Sequence, residues 1–451
     1  MTGAGARSVL LRLFRETLEE LSLGRVMASA VALRGGRLMA GGAEVNVTEP
    51  ERIFVAAIGK AARPMCDSIA PMLPADRTSF AVVAPGPAQP ASQGMQAFAG
   101  GHPYPNTESE AAARHVLATA RELGSRDLLV CLLSGGGSAI CEAPLDPEVS
   151  LEDLREFFRV LVTCGGNIVE MNVLRKHFSL IKGGRLAEAA APARQLTLYV
   201  SDVPAGEPSS VASGPTMPDE SSSEDAYEIA ARLGIVSRLP PSIRRRFERR
   251  DLPETPKPGG EAFRRGQWAC LLDNSDALES LESKLTALGW ILERDLSVDD
   301  QPVDEAADTL LDRLEGLAAA HPGRTVAVTT GGELSSPVTG DGIGGRNQAF
   351  VLWAARKVAE RGMDATVLSA GTDGIDGNSP AAGAIADQTT VARAGAMGMD
   401  PADFERRSDS YRFFHRLGDL IVTGPTGNNV RDLRMLVAGL PKGRRRQDDG
   451  A

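Results

Sequence analysis

Apolar, strand-like runs that end in glycine or a polar turn and then pass into a helical pattern recur along this chain of 451 residues. Such runs occupy residues 53–58 before Gly59-Lys60, 128–133 before SGGGS, 195–200 before Ser201-Asp202, and 325–330 before a long glycine-rich loop. Proteins that alternate parallel strands with helices carry their ligand loops at the carboxyl ends of the strands. The pattern therefore predicts an α/β fold with several ligand-binding loops.

The composition of the chain argues against some classes of binding partner. The chain carries 49 Lys and Arg against 59 Asp and Glu, a formal net charge of −10, which argues against general affinity for nucleic acid or anionic membrane. No uncharged apolar run approaches the roughly 18 residues that a membrane span needs. The five cysteines are odd in number and form no C-x-x-C pair, which predicts reduced thiols in a cytoplasmic protein.

The length suits two or three domains of roughly 150 residues each. We expect two, because the sequence His321-Pro322-Gly323 interrupts a helical pattern just before a new strand-like run. The predicted domains are residues 1–322 and 323–445, followed by a polar tail at 446–451.

The segment SGGGS is the first candidate phosphate site, and it comprises Ser134, Gly135, Gly136, Gly137 and Ser138. Glycines let backbone N–H groups converge on an anion, and the two hydroxyls can complete the site. The alternative is a tight strand-to-helix turn, but such a turn needs only one or two glycines. A P-loop of the form G-x-x-x-x-G-K-[ST] is absent, so any use of ATP must employ other loops.

A second glycine-rich loop, at residues 329–348, predicts another anion site. Gly331 and Gly332 leave the strand directly, and Arg346 offers a planar fork for a carboxylate or phosphate. Residues 340–345 match G-x-G-x-x-G formally, but the match is weak because its first glycine does not directly follow the strand.

Two charged residues at strand ends are candidates for catalysis. Lys60 can reach a phosphate or an acid substrate as a point charge, or it is an ordinary surface lysine. Asp202 can orient or deprotonate a hydroxyl or hold Mg²⁺, or it is a turn aspartate bonded to its own backbone.

Asp373 and Asp376, in the loop GTDGIDG, are candidate Mg²⁺ ligands, with a pair of Asx turns as the alternative. The five histidines show no metal-binding spacing, and most of them are expected to be packing or surface residues. The basic residues Arg175, Lys176, Lys182 and Arg185 are expected to form mainly a solvated helix face.

Several long motifs occur in the order that is typical of one known family: GKAARPM, SGGGSA, NVLRKHFSLIKGGRLA, SDVPAGEPSSVASGPT, TTGGELSSPVTGDGIGGRNQ, SAGTDGIDGNSPAAGA and GDLIVTGPTGNNVRDL. The chain resembles the glycerate 2-kinase family over nearly its whole length. The resemblance implies a Rossmann-like, three-layer N-terminal domain, a smaller α/β C-terminal domain called MOFRL, and an active site in the cleft between them.

The resemblance also implies an activity, namely phosphorylation of D-glycerate at its 2-hydroxyl by ATP with Mg²⁺, giving 2-phosphoglycerate and ADP. It assigns Lys60, Asp202 and Arg346 to catalysis or substrate binding and the SGGGS loop to the nucleotide. The chain has SDVPAGEPS where the family commonly has SDVPGDDPS, which weakens a metal assignment near Asp202. It also has TGPTGNN where TGPTGTN is usual, which exchanges a hydroxyl for the amide of Asn428.

Two other functions stay open from the sequence. The first is an NAD(P)H-dependent hydroxypyruvate reductase, a label often carried by members of this family. The second is a non-catalytic protein that binds a sugar acid or a nucleotide. Among assembly states, the sequence leaves a homodimer open.

Overall fold

The computed structural model describes residues 3–87, 94–204 and 206–439. The predicted polar tail at 446–451 and residues 440–445 of the predicted second domain lie outside this range. The helices are α1 Gly3–Glu20, α2 Leu23–Ala30, α3 Ala62–Ile69, α4 Thr107–Arg121, α5 Gly137–Ile140, α6 Leu151–Val162, α7 Ile168–Phe178, α8 Arg185–Ala190, α9 Ser223–Arg232, α10 Pro241–Arg249, α11 Asn274–Ala287, α12 Val303–Ala320, α13 Arg346–Glu360, α14 Thr390–Ala396, α15 Pro401–Arg406 and α16 Ser410–Leu417.

The strands are β1 Val31–Arg34, β2 Arg37–Ala40, β3 Ala43–Asn46, β4 Ile53–Ile58, β5 Thr78–Ala84, β6 Met95–Ala99, β7 Leu128–Leu133, β8 Arg194–Val200, β9 Gly266–Leu272, β10 Ile291–Arg294, β11 Val326–Thr330, β12 Ala365–Gly371, β13 Gly383–Asp387, β14 Leu420–Ile421 and β15 Asp432–Ala438. The predicted runs 53–58, 128–133, 195–200 and 325–330 correspond to β4, β7, β8 and β11. The predicted α/β fold class is confirmed.

The chain divides into two compact units. One is Leu23–Leu272, and the other combines the residues before Leu23 with those from Asp273 onward. The predicted domain boundary at residue 322 falls inside the second unit, between α12 and β11. The physical reason is that β10 pairs in parallel with β11, while the apolar face of α12 shares a core with α13, so elements on both sides of residue 322 pack together.

The unit Leu23–Leu272 contains a six-stranded sheet in the order β6-β5-β4-β7-β8-β9, with all of its neighbouring strands parallel. Every residue of β4 and β7 is buried, as expected for central strands covered by helices on both faces. A small antiparallel sheet, β1-β2-β3, was not predicted. Because β4, β7 and β8 are neighbours, the polar segments that follow them lie side by side.

The other unit contains a sheet in the order β10-β11-β15-β12-β13-β14, and here the expectation of parallel layers is wrong. Only β10 and β11 are parallel within the described sheet. Strand β15 lies in the centre of this sheet and every one of its residues is buried. A short apolar run that is buried on both faces has no periodicity to separate strand from helix.

The antiparallel direction of β15 positions the polar residues of this second unit. Strands β11 and β12 flank β15 and both run antiparallel to it, so their carboxyl ends lie beside its first residues. Gly371 is opposite Asp432, and Thr330 is opposite Arg434. The glycine-rich segments that leave β11 and β12 therefore begin near Asp432.

The N-terminal helix α1 belongs to this same unit. Its buried residues include Leu10, Leu13 and Phe14, and it packs against α11, β12 and β13. Arg7 on α1 donates a hydrogen bond to Asp387 at 3.0 Å and also forms an ion pair with Asp419. Helices with the length and apolar character of a membrane span are absent from the described residues.

Candidate active site

The SGGGS loop directly follows β7 and is fastened to the end of β4. The Ser134 N–H donates to the carbonyl of Ile58 at 3.1 Å, and the Ser134 hydroxyl accepts from the amide of Ala61 at 2.9 Å. The amide of Lys60 donates to the carbonyl of Gly135 at 2.9 Å. These bonds fix both the loop and the backbone of Lys60.

Three consecutive amides of this loop are available to a ligand. In the described part of the chain, the N–H groups of Gly135, Gly136 and Gly137 have no hydrogen-bond acceptor. Gly135 and Gly137 are nevertheless buried residues. Unpaired buried amides are uncommon, and successive free N–H groups form the concave nests that bind phosphate oxygens.

Asp202 lies against the backbone of the same loop. A Cβ atom added to Gly135 would lie 2.2 Å from Oδ2 of Asp202, so only glycine permits this approach. Asp202 is partly buried. The structure therefore brings one carboxylate next to the three free amides, as the adjacency of β7 and β8 requires.

His102, which was expected to be a packing or surface residue, also contacts this loop. A Cβ atom on Gly136 would lie 3.0 Å from Cδ2 of His102. Desolvation of the imidazole, together with the positive charges of Lys60 and Arg175, lowers the pKa of His102 to about 4, although the residue is exposed overall. The ring is therefore neutral at pH 7 and lies near two cations. Its position after the end of β6 was the one sequence signal for it.

Lys60 follows β4 and has an exposed side chain. Within the described residues it takes part in no ion pair. The predicted residues Lys60, Asp202 and Ser134–Ser138 are thus brought together at one edge of the parallel sheet, while Arg346 lies in the other compact unit.

The four basic residues after Asn172 are buried, so the prediction of a solvated face is wrong. Arg175 is 9% exposed, Lys176 4%, Lys182 0% and Arg185 8%. Sequence periodicity could not reveal this burial, because the carboxylates that pair with Lys176 and Lys182 are distant in sequence. Lys176 pairs with Asp219 at 3.0 Å and Lys182 pairs with Glu142.

A chain of side-chain hydrogen bonds connects α7 to the SGGGS loop. Ser213 donates to Oδ1 of Asn172 at 3.0 Å, and the hydroxyls of Ser138 and Ser213 are 2.7 Å apart. Since the single proton of Ser213 goes to Asn172, Ser138 donates to Ser213. Ala212 and Ser213 have φ angles of 51° and 57°, a conformation that is uncommon without glycine and that concentrates at functional sites.

Arg346, the first residue of α13, lies in a network of opposite charges. Its Nε donates to Asp432 at 2.7 Å, and its Nη2 lies 2.8 Å from Glu333. Asp432 also accepts from the fully buried Arg434 at 2.9 Å. Burial alone would lower the pKa of Arg346, but the charges of Asp432 and Glu333 outweigh it and raise that pKa well above its ordinary value.

The side chain of Arg346 is 34% exposed and borders a cavity of about 570 Å³ within its own unit. The lining includes Gly344, Gly345, Asp376 and Ser410. This volume is in the range of ligand pockets for small molecules. Gly342, Gly344 and Gly345 line this cavity. A dinucleotide-binding fingerprint requires its first glycine to leave the strand directly, but β11 ends at Thr330, well before Gly340.

Gly331 and Gly332 have a structural reason to be glycine. Their carbonyls accept from Nη1 of Arg434 at 3.1 and 3.2 Å, and the amide of Gly332 donates to Asn274 at 3.0 Å. Gly332 has a φ of 79°, and a Cβ atom there would lie 2.4 Å from Asp299. The predicted role of these two glycines in phosphate binding stays a prediction.

The two aspartates proposed as metal ligands have other bonding partners. One oxygen of Asp376 accepts from the amide of Asn347 at 3.1 Å, and the other accepts from the amide of Gln348 at 2.9 Å, so Asp376 caps the first turn of α13. Burial raises the pKa of Asp376 to about 6. Asp373 accepts from the amide of Ile375 at 3.0 Å, which is an Asx turn.

The residues around Asp376 therefore do not fit a magnesium ion. No cluster of three or more His, Cys, Asp or Glu side chains suited to a metal occurs in residues 3–87, 94–204 and 206–439. Asp202 fits better, because Mg²⁺ in phosphate-transferring sites is commonly held by one or two carboxylates together with phosphate oxygens. The acceptor-free amides of the SGGGS loop lie beside this carboxylate.

Two family models match separate parts of the chain. Residues 9–248 match the family model described as "Domain of unknown function (DUF4147)", and residues 326–432 match the MOFRL family. A D-glycerate 2-kinase of Thermotoga maritima is 35% identical over 387 residues, covering 85% of this chain and 90% of the relative. A protein of Agrobacterium vitis provisionally named hydroxypyruvate reductase is 38% identical over 400 residues, covering 86% of this chain and 87% of the relative.

The fold is also similar to a crystal structure of glycerate kinase from Thermotoga maritima, with a TM-score of 0.80 and 30% identity. The similarity covers 96% of this chain and 100% of that one. The fold and site define a two-domain α/β enzyme. The chain belongs to the glycerate 2-kinase family, as its motifs predicted.

Proposed function

We propose that this enzyme transfers the γ-phosphoryl group of ATP to the 2-hydroxyl of D-glycerate, giving 2-phosphoglycerate and ADP. The curated kinase relatives support the reaction class and the acceptor. The observation that carries the proposal is the group of three acceptor-free amides at Gly135, Gly136 and Gly137, which lies against the carboxylate of Asp202.

Phosphoryl transfer requires that the acceptor hydroxyl lie in line with the phosphorus and that positive charge surround the transferring oxygens. In our proposal the SGGGS amides bind the phosphate oxygens. Asp202 orients the hydroxyl and accepts its proton as the new O–P bond forms and the bond to the β-phosphate oxygen breaks. Lys60 contributes a mobile positive charge to the carboxylate or to the transferring group.

Mg²⁺ would neutralise part of the charge on the phosphates, and Asp202 is the residue that fits it. Arg346 is assigned to binding the acid or the developing phosphoryl charge. Its support is a part-exposed guanidinium at the edge of a cavity. The remaining predicted residues, Gly331, Gly332, Asp373 and Asp376, have no assigned step.

The test is product identity. The protein is incubated with ATP, Mg²⁺ and D-glycerate, and the phosphorus NMR spectrum is recorded without proton decoupling. A phosphate on C2 couples to one carbon-bound hydrogen and gives a doublet, whereas a phosphate on C3 couples to two and gives a triplet. A doublet is expected. A triplet, or release of ADP and inorganic phosphate alone, would contradict the proposal.

The alternative reductase activity has one observation in its favour, the name of the Agrobacterium vitis relative. It predicts oxidation of NADH by hydroxypyruvate, which a parallel absorbance assay measures. We expect no oxidation above the rate without enzyme, because the G-x-G-x-x-G match is displaced from its strand. Tight binding of ATP or glycerate with no product in either assay would favour a non-catalytic binding protein.

A further inference from the structure

Arg175 differs from the other buried cations of its segment. Lys176 and Lys182 each pair with a carboxylate. Arg185 donates to the carbonyls of Lys176 and Glu254, at 3.1 and 3.2 Å. Arg175 is 9% exposed, yet across the described ranges it forms neither an ion pair nor a side-chain hydrogen bond, and its Nε is buried without a partner.

The contact that Arg175 does make is with an aromatic ring. Its guanidinium carbon lies 4.7 Å from the centre of the Phe158 ring. A cation–π contact compensates only part of the cost of removing a charge from water. A guanidinium in this state presents donor groups in a fixed fork, which suits a carboxylate or a phosphate.

Two observations locate Arg175 beside the SGGGS loop. First, Asn172 lies one helical turn before Arg175 on α7 and accepts from Ser213, which itself accepts from Ser138 of the loop. Second, the charges of Arg175 and Lys60 both act on the imidazole of His102, whose ring would be 3.0 Å from a Cβ atom on Gly136. Arg175 therefore lies one helical turn from a residue that is bonded to the loop through Ser213, and its charge acts on a ring that contacts the loop.

We propose that Arg175 is an oxyanion-binding residue of this site and forms a bidentate contact with a carboxylate or phosphate group of a reactant. The assignment rests on the proposed function for the identity of the reactants. A guanidinium binds the carboxylate of the acid and the phosphates of the nucleotide through the same kind of hydrogen-bonded ion pair. The experiment therefore measures binding of each ligand separately.

The variants are Arg175→Met, which keeps the length and the contact with Phe158, and Arg175→Lys, which keeps the charge but not the fork. Arg185→Met is the matched control, because Arg185 is equally buried but bonded to carbonyls. Binding of D-glycerate and of a non-hydrolysable ATP analogue with Mg²⁺ is measured by calorimetry. Thermal unfolding is followed on the same samples.

We expect Arg175→Met to weaken one of the two ligands by about 10- to 100-fold, the loss of hydrogen bonds to a charged group, without lowering Tm. Weaker glycerate binding would show that the Arg175 guanidinium binds the carboxylate. Weaker binding of the ATP analogue would show that it binds the phosphates. Arg175→Lys should recover only part of the affinity. Arg185→Met should lower Tm, because it removes the donor to the buried carbonyl of Lys176 and the donor to the partly buried carbonyl of Glu254.

The proposal is overturned if both affinities of Arg175→Met stay within twofold of the wild type. It is also overturned if this variant loses Tm as Arg185→Met does, since Arg175 would then support the fold. These outcomes are independent of turnover. A wild-type protein that forms no phosphoglycerate refutes the proposed function, whereas the binding arms still decide the role of Arg175.

Discussion

The cations near the SGGGS loop and those near Asp432 illustrate two uses of positive charge in one chain. Lys60 and Arg175 have no carboxylate partner among the described residues. Arg346 and Arg434 share Asp432, and Arg346 also pairs with Glu333. The difference teaches that the partners of a cation, and not its place in a motif, separate a group that supports the fold from one that is ready to bind an anion.

The largest expected effect is on the Asp432 network. Replacement Asp432→Ala leaves the fully buried Arg434 without its carboxylate, and breaking a buried pair in this way costs about 3–5 kcal/mol of unfolding free energy. Urea denaturation measures the loss. The exposed ion pairs of Asp403 provide the control, since Asp403→Ala should cost less than about 1 kcal/mol. Equal losses in the two variants would show that burial of Arg434 does not matter.

At Lys60 we expect a loss of activity without a loss of stability. Lys60→Met should lower kcat/KM for phosphoryl transfer by about 100- to 1000-fold, the usual cost of removing one charge-stabilising donor, with Tm unchanged. Steady-state kinetics and thermal unfolding on the same sample provide the measurement. Arg126→Met is the control, because Arg126 is exposed at the amino end of β7. A rate within threefold of the wild type would remove Lys60 from the mechanism.

Replacement of Arg346 is expected to lower both turnover and stability. Arg346→Ala should reduce turnover by about 10- to 100-fold, as expected for a lost hydrogen bond to a charged group. It should also lower Tm slightly, because Asp432 retains Arg434. Product formation and circular dichroism check both. Unchanged turnover with a lower Tm would assign Arg346 to the fold alone.

A variant of Asp376 tests whether this residue caps α13 or binds Mg²⁺. In Asp376→Asn an amide group replaces one acceptor oxygen and faces the donors of Asn347 or Gln348, which should cost about 1–3 kcal/mol of stability. The Mg²⁺ concentration that gives half-maximal rate should not change. Titration of the rate with Mg²⁺ tests this, and a marked rise in that concentration would restore Asp376 as a ligand.

The smallest effect concerns the pKa of His102. In the folded protein this pKa is lowered from 6.5 to about 4, so as the pH falls the unfolded chain binds the imidazole proton before the folded protein does. The contribution of His102 to the free energy of unfolding is therefore lost as the pH falls from 6.5 towards 4. Removing the charge of Lys60 with Lys60→Met should raise the pKa of His102. Imidazole NMR measures it, with a His102→Asn spectrum for assignment and His115 as the unaffected control. An unchanged pKa of His102 would show that the charge of Lys60 does not act on the imidazole.

Much of the parallel sheet could be predicted from the sequence. Apolar runs followed by glycine or a polar turn located β4 and β7 and most of β8. The adjacency of these strand ends then brought Lys60, Asp202 and SGGGS together. Strand β15 could not be predicted, because its seven residues are buried on both faces and carry no alternation. The sequence also could not show which cations are free, since Lys176 finds Asp219 43 positions away.

The position of α1 has a consequence for biosynthesis. This helix is synthesised before the elements that cover Leu10, Leu13 and Phe14, which are α11 and later elements. The nascent chain must therefore extend past the whole segment Leu23–Leu272 before α1 can bury its apolar side, and until then that side lacks the elements that cover it in the folded unit.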